Sequence, residues 1–293
     1  MSAGPTTAVV TDTTAYLPDD LIARHGIYRV SLYVSLEGEQ RPEIEIPESE
    51  YGDFYERLRR SDEGAKTSQP SVGDFTSVYE PLLAEGREIV SIHLSAGISA
   101  TCERAQQVRQ SLIDDAKGGE RIHVYDSRSG CGGQALVVLA AAAAAAAGAN
   151  GPDTLTAAQR CRERLEMWFA IDTLEYLRKG GRIGAAQAWL GSALQIKPIL
   201  TLLEEITPIE RVRTRRRALE RMADYARQRQ ADGADAWVVQ HIQDHETARR
   251  FVEQGREIFG RDPVFVSQIG PVIGAHVGPG LIGVGGVPLS LLE

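Results

Sequence analysis

Glu88-Ile-Val-Ser-Ile-His-Leu-Ser-Ala-Gly-Ile-Ser-Ala-Thr-Cys-Glu-Arg-Ala105 holds a strand, a turn of small residues and the start of a helix. Ile89 to Leu94 is mostly aliphatic and has the length of a buried strand. It breaks at Ser95-Ala-Gly-Ile-Ser-Ala-Thr101. Glu103 to Leu112 then sets Ala105, Val108 and Leu112 on one helical face. A strand that opens through small residues into a helix offers backbone N–H groups and hydroxyls at a helix N-terminus, where a small anion is stabilised. An ordinary capped connection in an α/β domain reads the same way.

The flanking segments repeat the pattern. Ala8 to Asp12 is a short apolar strand that ends in Thr-Asp-Thr-Thr-Ala-Tyr-Leu-Pro18, and Asp19 or Asp20 caps a helix. Ile27 to Leu36 predicts a second strand and Glu37 to Pro42 a turn. Pro47 to Arg60 has helical spacing, Lys66 to Ser71 is a polar loop, and Val72 to Ala84 a helix. Ile122 to Asp126 is a strand that breaks through Ser-Arg-Ser-Gly-Cys-Gly-Gly133 into the alanine-rich helix Gln134 to Ala147. Alanine is the best helix former and nearly the smallest side chain, so this helix should lie close against its neighbours. Repeated β-loop-α units predict a parallel sheet in three α/β/α layers, with a ligand beyond the strand ends at Asp12, Ser95 and Asp126.

The second half reads as α+β. A helix carries Ala186, Trp189, Leu190, Ala193 and Leu194; a hairpin turns at Glu204-Glu205; Gly270 to Gly280 reads as a glycine-rich turn before a last strand, Leu281 to Leu289. The expected division is residues 1–160, an N-terminal α/β domain, and 161–293, an α+β domain with a mixed sheet.

Composition bounds the function. The chain has 293 residues, 43% of them hydrophobic, enough for about two domains. The longest apolar run, Ala135 to Ala147, is shorter than the roughly 18 residues expected of a membrane span. Met-Ser-Ala-Gly-Pro-Thr-Thr lacks the features of a secretory signal. Cys102, Cys131 and Cys161 are odd in number and scattered, which suits reduced thiols in a cytoplasm. A net charge of −8 argues against a general nucleic-acid binder.

The candidate chemistry is modest. Thr67-Ser-Gln-Pro70 groups hydrogen-bonding side chains suited to a carboxylate, or is a capping loop. Lys179-Gly-Gly-Arg182 lacks the spacing of a phosphate loop but frees Arg182 for an anion, a protein partner or a surface ion pair. His276 sits among glycines and suits a carboxylate as cation or N–H donor. His241-Ile-Gln-Asp-His245 has a metal-like spacing, yet His241 ends a strand and Asp244 caps the next helix, so no metal is expected. The arginines from Arg211 to Arg221 read as a solvated face or as a dock for an acidic partner. Neither GxSxG nor HExxH occurs, and nothing locates a base for Cys131.

Taken in order, Thr11 to Pro18, Thr67 to Pro70, Leu94 to Thr101, Tyr125 to Ser127, Leu174 to Ile183, Ile196 to Leu200, Val212 to Thr214 and His276 to Gly280 resemble the DegV family. The resemblance spans nearly the whole chain. It implies two α/β domains enclosing one long-chain fatty acid in a tunnel. It also implies the role of the fatty-acid-binding subunit of bacterial fatty acid kinase. Such a subunit has no catalysis and no cofactor of its own. It presents the acyl carboxylate to a separate ATP-dependent kinase, for phospholipid synthesis from exogenous fatty acid. Carried over by motif, Thr67, Ser95 and His276 surround the carboxylate with the backbone of Ala96 and Gly97, and Arg182 lies at the mouth toward the kinase. Transient contact with a membrane surface is compatible with that role. The sequence departs from the family at Ala96, where a second serine is common, at Ala100 for glycine, at Cys102 for an aromatic and at Glu204-Glu205 for Asp-Gly. Two other readings stay open: an enzyme acting on a small phosphorylated or carboxylated metabolite at the Ser95 turn, and a regulator that uses the arginine run.

Overall fold

The computed structural model describes residues 6–190 and 196–293. Four parallel strands form the first sheet, in the order β2 (Tyr28–Val30), β1 (Thr7–Asp12), β6 (Glu88–His93), β7 (Ile122–Asp126). Alternation along the strands builds its two faces. Ala8, Val10 and Ile89 pack on α3 (Val72–Ala84) and α4 (Thr101–Asp114). Val9, Val90 and Ile92 pack on α5 (Cys131–Ala146). The carboxyl ends of β1, β6 and β7 therefore open on one edge, as the repeated β-loop-α pattern predicts.

The second sheet is mixed, with six strands in the order β10 (Ile206–Val212), β9 (Lys197–Leu202), β8 (Glu166–Ala170), β13 (Ile282–Val287), β11 (Ala236–His241), β12 (Phe265–Gln268). One face carries Ala170, Ile199, Trp237 and Val239 against α8 (Arg215–Ala231) and α9 (His245–Phe259). Ala236, Val238 and Val287 point the other way and join the core that holds the alanine run. Helix α5 thus lies between both sheets, and α6 (Gly151–Arg164) packs along it. Ala135, Ala141 and Val138 on α5 are fully buried. Small side chains let two sheets approach one helix from opposite sides.

Five local expectations change. The helix Asp19–His25 has no side-chain cap: Pro18 precedes it, and Asp19 and Asp20 stand within its first turn. Ile27 to Leu36 is two strands, because Val30 buries into the first sheet whereas β3 (Tyr33–Leu36) turns into a separate antiparallel sheet. That sheet has the order β4-β3-β5, with β4 at Glu39–Pro42 and β5 at Lys66–Ser68, so the predicted turn and polar loop each contain a short strand. Glu37 and Gly38 have φ of 54° and 85°, the left-handed geometry of a tight hairpin turn. Gly270 to Gly280 is not a turn: α10 spans Pro271–Val277, with Pro271 in its first turn and Gly278 just past its end at φ 72°. Where a longer helix is predicted, a 3-10 helix runs from Gly184 to Trp189; Ala193 and Leu194 fall outside the described residues.

Because α5 is buried on both sides, enlarging it should strain the core. Ala141→Leu is expected to destabilise by about 1–3 kcal/mol. A urea-unfolding midpoint equal to that of the unsubstituted protein would contradict this packing.

Candidate ligand site

A cleft lies where the carboxyl ends of the first sheet face the second sheet. Counting its open mouth, it holds about 1050 Å³ of unoccupied space. Its floor is the second sheet, with Met167 and Phe169 of β8, Leu202 of β9 and Gly283 of β13. Leu94 and Cys131 come from the first-sheet side, and Val272 and Ile273 from α10. The walls are therefore largely aliphatic and aromatic, suited to an apolar ligand.

One end is polar. The hydroxyl of Thr67, on β5, lies 2.8 Å from Nε2 of His276 on α10. Ser99 and Arg182 line the same cleft. His276 Nδ1 is buried without a hydrogen-bond partner among the described residues. Burial pushes the imidazole down to about 4, helped by the nearby Arg182 guanidinium, so the ring is neutral at pH 7. Gly180 makes room for it: a β-carbon there would lie 2.2 Å from Nδ1. Arg182 is exposed at the mouth, donating to the Gly180 carbonyl at 2.8 Å and to the Ile98 carbonyl at 3.4 Å.

Structure separates the residues named from the Ser95 turn. Ser95 is fully buried, and its hydroxyl donates to the Glu204 carbonyl at 2.6 Å. Among the described residues no titratable side chain bonds to that hydroxyl. Ala96 N–H donates to Asp126 at 3.2 Å, and Gly97 N–H to the Ser95 hydroxyl at 3.3 Å. Both residues are exposed on an outer dimple that they share with Arg182 and Glu205. Gly97 is needed there, because a β-carbon would lie 2.2 Å from the Glu204 carbonyl. Thr67, His276 and Arg182 thus converge on the cleft, while Ser95 ties the turn to the hairpin between β9 and β10.

A family model described as "Uncharacterised protein, DegV family" matches residues 6–289. The chain belongs to the DegV family. Among curated relatives, Protein DegV of Bacillus subtilis is 33% identical over 281 residues, covering 94% of this chain and 97% of that protein. A DegV domain-containing protein of Streptomyces coelicolor is 36% identical over 281 residues, covering 94% and 96%. Among solved structures, a DegV family protein from Thermus thermophilus, described for its fatty acid binding, superposes with a TM-score of 0.84 at 31% identity, covering 97% of this chain and 99% of that one. Bacillus subtilis DegV, described as a fatty acid binding protein, gives 0.83 at 33% identity over 95% and 98%.

This DegV protein also carries polar groups that sequence reasoning missed. His93 looks like one more member of a buried strand. Its ring bonds Asp12 through Nδ1 at 3.0 Å and Ser91 through Nε2 at 2.7 Å, so neither nitrogen is free to serve Ser95. A histidine inside an apolar run needs such partners, and Asp12 at the next strand's end was the available signal. Ser99 stands in the quoted turn but was not singled out. The rings of His241 and His245 meet edge to face, 4.4 Å apart, and among the described residues no group of three metal-binding side chains forms. Asp244 caps α9 by accepting from Thr247 N–H. Most of the arginine run is paired: Arg215 with Asp172, Arg216 and Arg217 with Glu220, Arg221 with Glu210.

Glu43 is the other hidden group. It is 3% exposed, and its Oε1 accepts from Tyr16 and from Val272 N–H, each at 2.8 Å, fixing the start of α10. Burial raises its carboxyl from 4.5 to about 7, although those hydrogen bonds pull it down. Between these values the folded state holds a proton that the unfolded chain has released. The Glu43 contribution to stability therefore falls as pH rises through that window. Glu43→Gln, which stays neutral, should gain stability over the native residue between pH 5 and pH 8, by about 3 kcal/mol at most. Urea unfolding at both pH values measures it; an equal difference at the two would refute the raised carboxyl.

Proposed function

We propose that the protein binds one long-chain fatty acid in this cleft and presents its carboxylate to a separate ATP-dependent kinase. The observation that carries the reading is an apolar cleft that ends in the Thr67–His276 pair beside Arg182. A tail of some 15 methylenes, at about 0.8 kcal/mol each, offers roughly 12 kcal/mol of gross transfer energy. Loss of motional freedom offsets a good part of it. The head-group contacts are then worth less than the tail and chiefly set direction.

At the polar end, the Thr67 hydroxyl and the His276 Nε2–H both donate to the carboxylate. A bound anion favours the imidazolium, raising His276 from its depressed value. Arg182 adds a cation at the mouth. The Ser95 hydroxyl and the Ala96–Gly97 backbone shape the turn beside it. The two halves, 1–160 and 161–293, close on the ligand from opposite sides, with Thr67 from the first and His276 from the second. The likeness to DegV proteins described as fatty acid binding supports this reading.

In the phosphorylation step a carboxylate oxygen attacks the γ-phosphorus of ATP, ADP leaves, and an acyl phosphate forms for phospholipid synthesis. The kinase supplies that catalysis, and this chain orients the nucleophile without a cofactor. A cytoplasmic setting suits its three unpaired thiols.

Organic extraction of purified protein followed by mass spectrometry should recover a fatty acid. Thr67→Val and His276→Ala should each weaken palmitate or oleate binding by about tenfold or more, the worth of one hydrogen bond to a charged group. A protein that yields no lipid and takes up neither acid would sink the proposal.

A further inference from the structure

The cleft ends abruptly at one flexible side chain. β8 and β13 run antiparallel, with Phe169 opposite Gly283 and Met167 opposite Gly285. Phe169, Gly283 and Met167 line the cleft, and Gly285 does not. Stepping from Leu281 to Gly283, and from Phe169 to Met167, moves about 7 Å away from the end of α10 that carries His276. The next position is already filled: a β-carbon at Gly285 would lie 3.0 Å from both Cβ and Cγ of Met167.

The methionine methyl is held between two residues that lack side chains. It lies 3.1 Å from where a β-carbon of Gly132 would stand and 3.3 Å from that of Gly283. Behind it the first turn of α5 is closed, since Gly132 N–H donates to the Gln240 side chain and its open side meets Val238. A glycine on each side removes the neighbours that would lock the rotamer. Methionine has three rotatable bonds and fills irregular space at low cost.

We propose that Met167 is the adjustable stop that sets the acyl-chain length this protein accepts. The inference rests on the fatty-acid reading above. Removing Cγ, Sδ and Cε would lengthen the cleft by about two or three methylenes. Adding a methyl at Gly283, itself a cleft-lining position, would take up space beside the Met167 methyl and shorten the cleft. Gly283 has an ordinary backbone conformation, and the atom its new methyl meets is the free end of Met167, so alanine fits there with little strain.

The test is displacement of a fluorescent fatty acid by laurate, myristate, palmitate, stearate and arachidate. Native protein, Met167→Ala, Gly283→Ala and the volume-conserving Met167→Leu are compared, each checked by thermal melting. Met167→Ala should raise the ratio of arachidate to palmitate affinity by about tenfold, the worth of two buried methylenes. Gly283→Ala should shift the optimum toward shorter acids, and Met167→Leu should keep the native ranking. Folded variants that all rank the acids as the native protein does would overturn the role of Met167. Native protein that binds none of the acids would overturn the fatty-acid reading itself, and the stop with it.

Discussion

A single buried carboxylate fixes the edge on which the cleft is built. Asp12 ends β1 with no solvent exposure. One of its oxygens accepts from the Thr14 N–H and hydroxyl, and the other from Leu94 N–H and His93. Burial alone would raise this carboxyl, but the His93, Thr14 and Leu94 hydrogen bonds outweigh it and hold it below the ordinary aspartate value. A charge at this depth is tolerable only when its acceptor sites are filled. Filling them joins the end of β1 to the end of β6, and Leu94 leads straight into the Ser95 turn. The position of the turn is therefore set by the Asp12 carboxylate, which does not itself line the cleft.

The second constraint is distance. Bulky side chains between two sheets would hold the sheets apart. Here the spacer is an alanine helix, and β13 opposite it reads Ile-Gly-Val-Gly-Gly-Val. Its Ile282 and Val284 fill the outer core against α8 and α9, while Gly283 leaves its place open on the cleft side. The groove opens where the alanine helix begins: Gly130 and Cys131, at the start of α5, line it.

Much of this was legible from the residues. The parallel arrangement of the first sheet follows from β-loop-α repetition, and the polar strand ends at Asp12, Ser95 and Asp126 do share one edge. Periodicity failed where burial and alternation gave conflicting messages. Ile27 to Leu36 is rich in strand formers throughout, and only tertiary packing divides it between two sheets. The glycines from Gly270 to Gly280 concealed α10, although Pro271 and Gly278 carried its start and stop. The resemblance names Ser95 among the ligand contacts, and spacing along the chain does not say which way its hydroxyl turns. In this structure its bond goes to Glu204, a residue 109 positions away. Glu43 gave no sequence signal, since a glutamate in a glutamate-rich loop reads as solvated.

In the proposed carrier, the two ends of the cleft do different work. The apolar length supplies binding energy without direction, because methylenes are alike. Direction comes from the polar end, where an empty site keeps His276 neutral and avoids the cost of a buried unpaired cation. In the free cleft its Nε2 and the Thr67 hydroxyl satisfy each other, and the arriving carboxylate exchanges that one bond for a bond to each donor. Gly180 permits that arrangement, since any side chain there would displace the ring. The same loop continues into Arg182, so the segment that seats the imidazole also places the cation at the opening. Affinity and orientation thus rest on separate parts of the chain, which lets the tail pocket vary while the head group stays in register.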